Sequence, residues 1–167
     1  MFYSPFDIFS ERPSDSRQIL VEQDGNYQYL LEGQSVSSIA IDGANRKWIG
    51  TFGSGVFLMS EDGTEEIQRF TTSNSPLISN VINDIVIDEN TGEVFMATNE
   101  GIVSYKSDAI EGLVENNCSS VYPNPVRENY SGPISITGLM RDSEVRITDA
   151  GGSLVNKMVS NGGTAIW

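Results

Sequence analysis

Lys47-Trp48-Ile49-Gly50-Thr51 returns 47 residues later, degraded but readable, as Val94-Phe95-Met96-Ala97-Thr98. Each copy follows an apolar-alternating run that ends in Ile-Asp: Ile39-Ala40-Ile41-Asp42 first, Ile85-Val86-Ile87-Asp88 second. Each is followed by a glycine and a β-rich run, Gly55-Val56-Phe57-Leu58 and then Gly101-Ile102-Val103-Ser104-Tyr105. The Ile-Asp pairs and the glycines are both 46 residues apart. A self-similar period in the mid-forties, built of short strands, is the signature of a β-propeller blade. Two copies imply two blades, whereas a closed propeller usually needs about four or more.

Outward from the repeat, the chain reads as strands and turns. Gln18–Val21 and Tyr27–Leu31 read as a hairpin around Asp24-Gly25, the outer part of a blade. Val36–Asp42 is an inner strand, Gly53-Ser54-Gly55 a bend or bulge, and Val56–Ser60 with Glu65–Phe70 a second hairpin around Asp62-Gly63. Asn74-Ser75-Pro76-Leu77 crosses to the next blade, where Val81–Asp88, Val94–Thr98 and Gly101–Tyr105 repeat the scheme. Residues 1–16 read as an irregular lead-in. The best helical candidate is Asp108–Val114, one or two turns at most.

After an Asn/Ser-rich linker the texture changes. Tyr122-Pro123-Asn124-Pro125 cannot lie in a central strand, because two prolines remove two ladder donors. Ile134–Thr137, Glu144–Thr148 and Leu154–Lys157 alternate apolar and polar with glycine-rich turns between them, the pattern of an antiparallel, Ig-like sandwich. About four strands are too few for two packed sheets, so the expectation is a truncated sandwich. The fold class expected is therefore all-β: a partial propeller of about two blades over residues 1–115, a linker at 116–120, and a sandwich-type domain at 121–167.

Charge divides the chain at the same place. The net charge of −13 is carried wholly by residues 1–115, which hold 6 Lys+Arg against 19 Asp+Glu; residues 116–167 hold 4 of each. An acidic surface makes nucleic acid and anionic membrane poor partners. No apolar run approaches the ~20 residues of a membrane-spanning helix. The first residues, Met1-Phe2-Tyr3-Ser4-Pro5, lack the basic and apolar regions of a signal peptide. The single cysteine, Cys118, excludes an intrachain disulfide, and with no histidine in the chain nothing near it would activate a thiolate.

Few residues suggest chemistry. Trp48 could stack on a ligand, but its repeat-defining place in a strand fits packing between blades better. With it, Gly50, Thr51, Phe95 and Thr98 are expected as structural blade-core positions. Gly53-Ser54-Gly55 lacks the third glycine and following helix of a phosphate loop. Adjacent acids such as Glu61/Asp62, Glu65/Glu66 and Asp88/Glu89 point to opposite strand faces and read as a solvated acidic surface rather than a hydrolase pair. The Asp-Gly pairs are explained by turn chemistry without calcium. No catalytic residue, cofactor or metal site is expected. Tyr122, Pro123, Asn124 and Pro125 form a rigid entry turn into the sandwich.

Val36–Asp42 and Lys47–Gly55, with the link Asn74-Ser75-Pro76-Leu77-Ile78-Ser79-Asn80, resemble the two-component-regulator propeller repeat. The first copy matches closely; the second has Phe95 for Trp and Ala97 for Gly. Tyr122-Pro123-Asn124-Pro125, Ile147-Thr148-Asp149, Gly151-Gly152 and Gly162-Gly163-Thr164-Ala165-Ile166-Trp167 resemble the C-terminal sorting domain of proteins exported by the type IX secretion system of Bacteroidetes. In that family Asp-Gly and further strands normally follow the Trp, and the resemblance implies that Tyr122, Pro123, Asn124 and Pro125 open a domain read by the export machinery. In this order the two are similar to the end of the propeller family found in the cell-surface attachment complex of that system.

The resemblance implies a non-catalytic surface scaffold on the extracellular side of the outer membrane. Its partners would be other type IX secretion or attachment-complex proteins, with surface polysaccharide a further candidate and self-association through unpaired blade edges expected of a two-blade piece. Two alternatives stand beside it: the ligand-sensing propeller of a two-component-type sensor, and a secreted cargo whose C-terminal domain is only an export signal. An enzyme is the weakest reading.

Overall fold

A computed structural model describes residues 18–23, 26–115 and 119–167. It places them in fourteen strands, which form five antiparallel sheets, with no helix among the described residues. The lead-in, the Asp24-Gly25 turn and Cys118 lie outside the described residues.

Blade 1 is a four-stranded sheet of β3 (Val36–Ile41), β4 (Lys47–Thr51), β5 (Val56–Met59) and β6 (Glu66–Phe70), in that order. Blade 2 is β7 (Ile82–Asp88), β8 (Glu93–Thr98) and β9 (Gly101–Lys106). The repeat extends to the irregularities. The register slips between Val36 and Ser38 in β3 and between Ile82 and Asp84 in β7, at equivalent places in the two blades.

Successive strand residues point to opposite faces, so each blade has two. Trp48, Val56, Leu58 and Phe70 on one face of blade 1 meet Ile82, Ile85, Val94 and Met96 of blade 2 in one buried cluster. Removing each such side chain from water contributes about 1.5–3 kcal/mol. The opposite face carries Ile49, Phe57 and Met59, and is covered by the hairpin β1 (Leu20–Gln23) and β2 (Asn26–Tyr29) through Val21, Ile19, Leu30 and Leu31. Blade 1 is thus held between the hairpin and blade 2. Among the described residues no sheet lies against the far face of blade 2: Val86 is 57 % exposed and Ile102 73 %.

The C-terminal part forms two small sheets. β10 (Ser120–Tyr122), β11 (Ser135–Thr137) and β14 (Thr164–Ile166) make one; β12 (Glu144–Thr148) and β13 (Leu154–Val159) make the other. That is five strands where the sequence pattern suggests about four. β10 and β14 are three residues each, too short to show alternation. An apolar cleft of about 240 Å³, lined by Val121, Ile136, Ile147 and Trp167 among others, lies between the two sheets. The all-β class and the open, two-bladed reading hold.

Asp108–Val114 is not helical. Its backbone bonds run outward to other segments instead of up a helical ladder: Glu111 N donates to Glu89 O, Leu113 N to Leu139 O, and Ile110 O accepts from Gly163 N. A seven-residue segment gains too little from local bonds to outweigh such partners.

Candidate interaction site at the blade junction

The loop between β3 and β4 is organised by Asp42, which is 3 % exposed. Its Oδ1 accepts from the backbone N–H groups of Ala44 and Arg46, both at 3.0 Å. Its Oδ2 accepts Arg46 Nε at 2.8 Å and Trp48 Nε1 at 3.0 Å. Asn45 sits at φ 59°, a left-handed conformation that asparagine tolerates better than most residues. The buried carboxylate is therefore fully supplied with donors, which is the condition for burying one at all.

Arg46 carries the network onward. Its Nη2 donates to Ser107 Oγ at 2.9 Å and to Asp108 Oδ1 at 2.7 Å, just past the end of β9. Burial works against its charge, but the hydrogen bond and field of Asp108, with Asp42, outweigh that and raise its pKa further. Burial likewise pushes the Asp108 carboxyl up, but Arg46 and then Asn161 more than compensate and hold it below the usual range. Asn161 Nδ2, from the C-terminal part, donates to Asp108 Oδ2 at 3.0 Å.

Trp48 is fully buried. Its ring stacks on Phe70 with centroids 5.4 Å apart, and Tyr105 of blade 2 lies 5.8 Å from Trp48 and 4.9 Å, edge-on, from Phe70. Gly50 lies on the same face, where a Cβ would come within 2.8 Å of Ile82 Cγ2. The glycine is what lets β7 approach. Thr51 Oγ1 and Thr98 Oγ1 make the same bond in the two blades, to Gly55 O and Gly101 O, each at 2.9 Å.

Phe95 does not occupy a core position; it is 39 % exposed on the open face of blade 2. It is the counterpart of Trp48, as Ala97 is of Gly50, but among the described residues no further sheet presses on that face. The second copy of the turn is correspondingly simpler: Asp88 takes Asn90 N at 3.0 Å and Thr91 Oγ1 at 2.8 Å, with no arginine or indole.

Tyr122 ends the edge strand β10 and is 77 % exposed, and Pro123, Asn124 and Pro125 follow it. Pro123 and Asn124 line the apolar cleft of the C-terminal part. A separate cavity of about 410 Å³ lies between the β1–β2 hairpin and blade 1, lined by Tyr29, Leu31, Glu32, Phe57, Glu66 and Arg69 among others. Arg69 lies over the Phe57 ring at 4.4 Å. Among the described residues no cluster of His, Cys, Asp and Glu could hold a metal ion. Arg46, Asp108 and Asn161 carry no motif. Only the spacing of four between Asp42 and Arg46 hints at their pairing in the sequence.

Two antiparallel blades in face-to-face contact, one of them open, followed by two small sheets, make this an open-propeller repeat protein with a sandwich-type C-terminal part. Among solved structures it resembles PorZ, an essential bacterial surface component of the type IX secretion system of Porphyromonas gingivalis, with 31 % identity and a TM-score of 0.58. The match covers 90 % of this chain and 20 % of PorZ, so the chain spans about a fifth of that relative's length. A Bacteroides thetaiotaomicron extracellular domain ascribed to a hybrid two-component system aligns at 23 % identity and a TM-score of 0.38, over 78 % of this chain and 21 % of that one. No protein-family model matches the chain, and no curated protein does.

Proposed function

We propose that this chain is part of a cell-surface component of a type IX secretion machinery. The observation that carries the reading is the PorZ likeness, 31 % identical over 90 % of the chain. In this reading the blades are a non-catalytic scaffold for other secretion or attachment-complex proteins. Residues 121–167 act in export or surface retention, with Tyr122, Pro123, Asn124 and Pro125 as the recognition turn. The geometry is compatible: Tyr122, the last residue of the edge strand β10, is held out to solvent, as a recognition element should be.

The test is where the protein resides in its parent bacterium, followed with an antibody to the blades and mass spectrometry of the mature C-terminus. The expected result is surface-exposed protein that co-purifies with other secretion components and keeps its C-terminal part. Protein found in the inner membrane would overturn the proposal. Release into the medium with the C-terminal part removed would make it cargo instead.

A further inference from the structure

The segment of residues 107–113 lies between the blades and the C-terminal part and is bonded to both. On the blade side Ser107 N donates to Gly92 O at 3.0 Å and Glu111 N to Glu89 O at 3.1 Å. On the C-terminal side Gly163 N donates to Ile110 O at 2.9 Å and Leu113 N to Leu139 O at 2.9 Å, and Ile110 forms a parallel bridge with Gly162.

Glycines make this approach possible. A Cβ on Gly43, in the blade 1 loop, would lie 2.1 Å from the Ile110 carbonyl carbon. On Gly162 it would lie 2.1 Å from Ile110 O and 2.8 Å from Gly43 O, and on Gly163 2.5 Å from Glu111 O. Backbone from blade 1, the connecting segment and the C-terminal part therefore meets with no room for any side chain at these positions. Ala109 is fully buried there. Polar side chains span the same junction: Arg141 Nη2 donates to Gly43 O at 3.0 Å, and Asn161 donates to the Asp108 carboxylate that also holds Arg46.

We propose that residues 119–167 and residues 18–115 form a stable noncovalent complex through this junction, so that the C-terminal part stays seated on the blades without the covalent link through the linker. The partner each side fits is the other: a glycine-lined backbone groove and a carboxylate on the blade side, an arginine and an asparagine on the C-terminal side. The linker then plays no part in holding the unit in place. Hydrolysis of the linker alone would not shed it. This stands independently of the secretion reading, since it concerns only how the two parts bind.

The test is the full-length chain with a protease site inserted at residues 116–118, cut to completion and passed over a sizing column at micromolar concentration. The expected result is co-elution of both pieces at the mass of the uncut protein. Separation of the parent pieces would overturn the proposal. Arg141→Ala and Asn161→Ala, which remove junction contacts without filling the glycine groove, should each weaken the cut complex by about tenfold, or ~1.4 kcal/mol. If both variants bind as tightly as the parent, the surface is not the one assigned. Gly162→Val should separate the pieces, with amide dispersion in NMR spectra confirming that each remains folded.

Discussion

Trp48 donates its indole N–H to Asp42 Oδ2 at 3.0 Å, the single polar contact of a ring otherwise enclosed by Phe70, Tyr105 and the apolar faces of two sheets. Ring and hydrogen bond therefore separate experimentally. Trp48→Phe keeps most of the packing and removes the bond to a charged acceptor, at an expected cost of about 1.5–3 kcal/mol. Trp48→Ala also opens a cavity and should cost about 3–5 kcal/mol. Urea unfolding midpoints measure both; equal losses would show that the packing of the ring adds nothing to the hydrogen bond.

Asp42 and Asp88 hold equivalent turns but differ in burial. Asp42→Ala leaves Arg46 with only its outer partners and Trp48 with none, and breaking such a buried pair costs about 3–5 kcal/mol. Asp88→Ala removes only solvent-exposed turn bonds and should lower the melting temperature far less. Matched thermal melts of the two variants decide it, and similar losses would contradict the assigned roles.

Acid should act through Asp108 and Asp62. Asp62 is lowered to about 2, first by Ser60 Oγ and then by the Thr64 backbone and hydroxyl. Asp108 ends below its ordinary 3.8 because Arg46 and Asn161 outweigh the burial that opposes ionisation. In both cases the unfolded chain binds protons more readily than the folded one, so stability rises with pH in this range. Their contribution is complete above about pH 4 and is lost as pH falls through the depressed folded values. NMR titration of the carboxyl carbons should show Asp62 still ionised at pH 3.5, where an unfolded Asp is more than half protonated, and Asp108 titrating below its ordinary value. Asp108→Asn should flatten the stability profile below pH 4.

The paired threonine bonds allow an internal comparison. Thr51→Val and Thr98→Val each delete a hydroxyl that donates to a glycine carbonyl and accepts from a backbone N–H, Ser54 N or Glu100 N, and nearly conserve volume. Each should cost about 1 kcal/mol. A much larger loss at one threonine alone, by denaturant titration, would contradict the equivalence of the two bonds.

Phe95 and Ile102 leave apolar surface on the open face of blade 2, beside a β9 edge unpaired among the described residues. Unpaired edges favour association. Phe95→Lys and Ile102→Lys should change monomer stability by less than about 0.5 kcal/mol. They should also lower the weight-average mass in sedimentation equilibrium at high concentration. No change in mass would remove this face from any account of self-association.

Most of the strand order was legible in the sequence because it is written in local terms. Lys47–Thr51 is β4 to the residue, and each Ile-Asp run and each glycine-led run forms a strand at its expected place. The weaker readings fell where local signals are short or absent. β10 and β14 have three residues each, and Asp108–Val114 carries a faint helical pattern that its partners override. Tyr122 to Pro125 were visible as a turn, whereas Arg46, Asp108 and Asn161 were not visible as a group, since 62 and 53 residues separate the contacting pairs.

By itself the sequence determined the period, the all-β class, the two-blade count and the turn chemistry of Asp42 and Asp62. Each depends on neighbours within a few residues and on the two-residue alternation of a strand. Only the tertiary structure decided which face of each repeat is buried. Trp48 and Gly50 lie under blade 2 while their counterparts Phe95 and Ala97 face outward, because alternation says that a strand has two faces and says nothing about what lies against either. It also decided that Ile110 lies against Gly43 and Gly162, a contact with no pattern to announce it. Such contacts are settled by the packing of whole sheets, and in the sequence they leave only a glycine where a side chain would not fit.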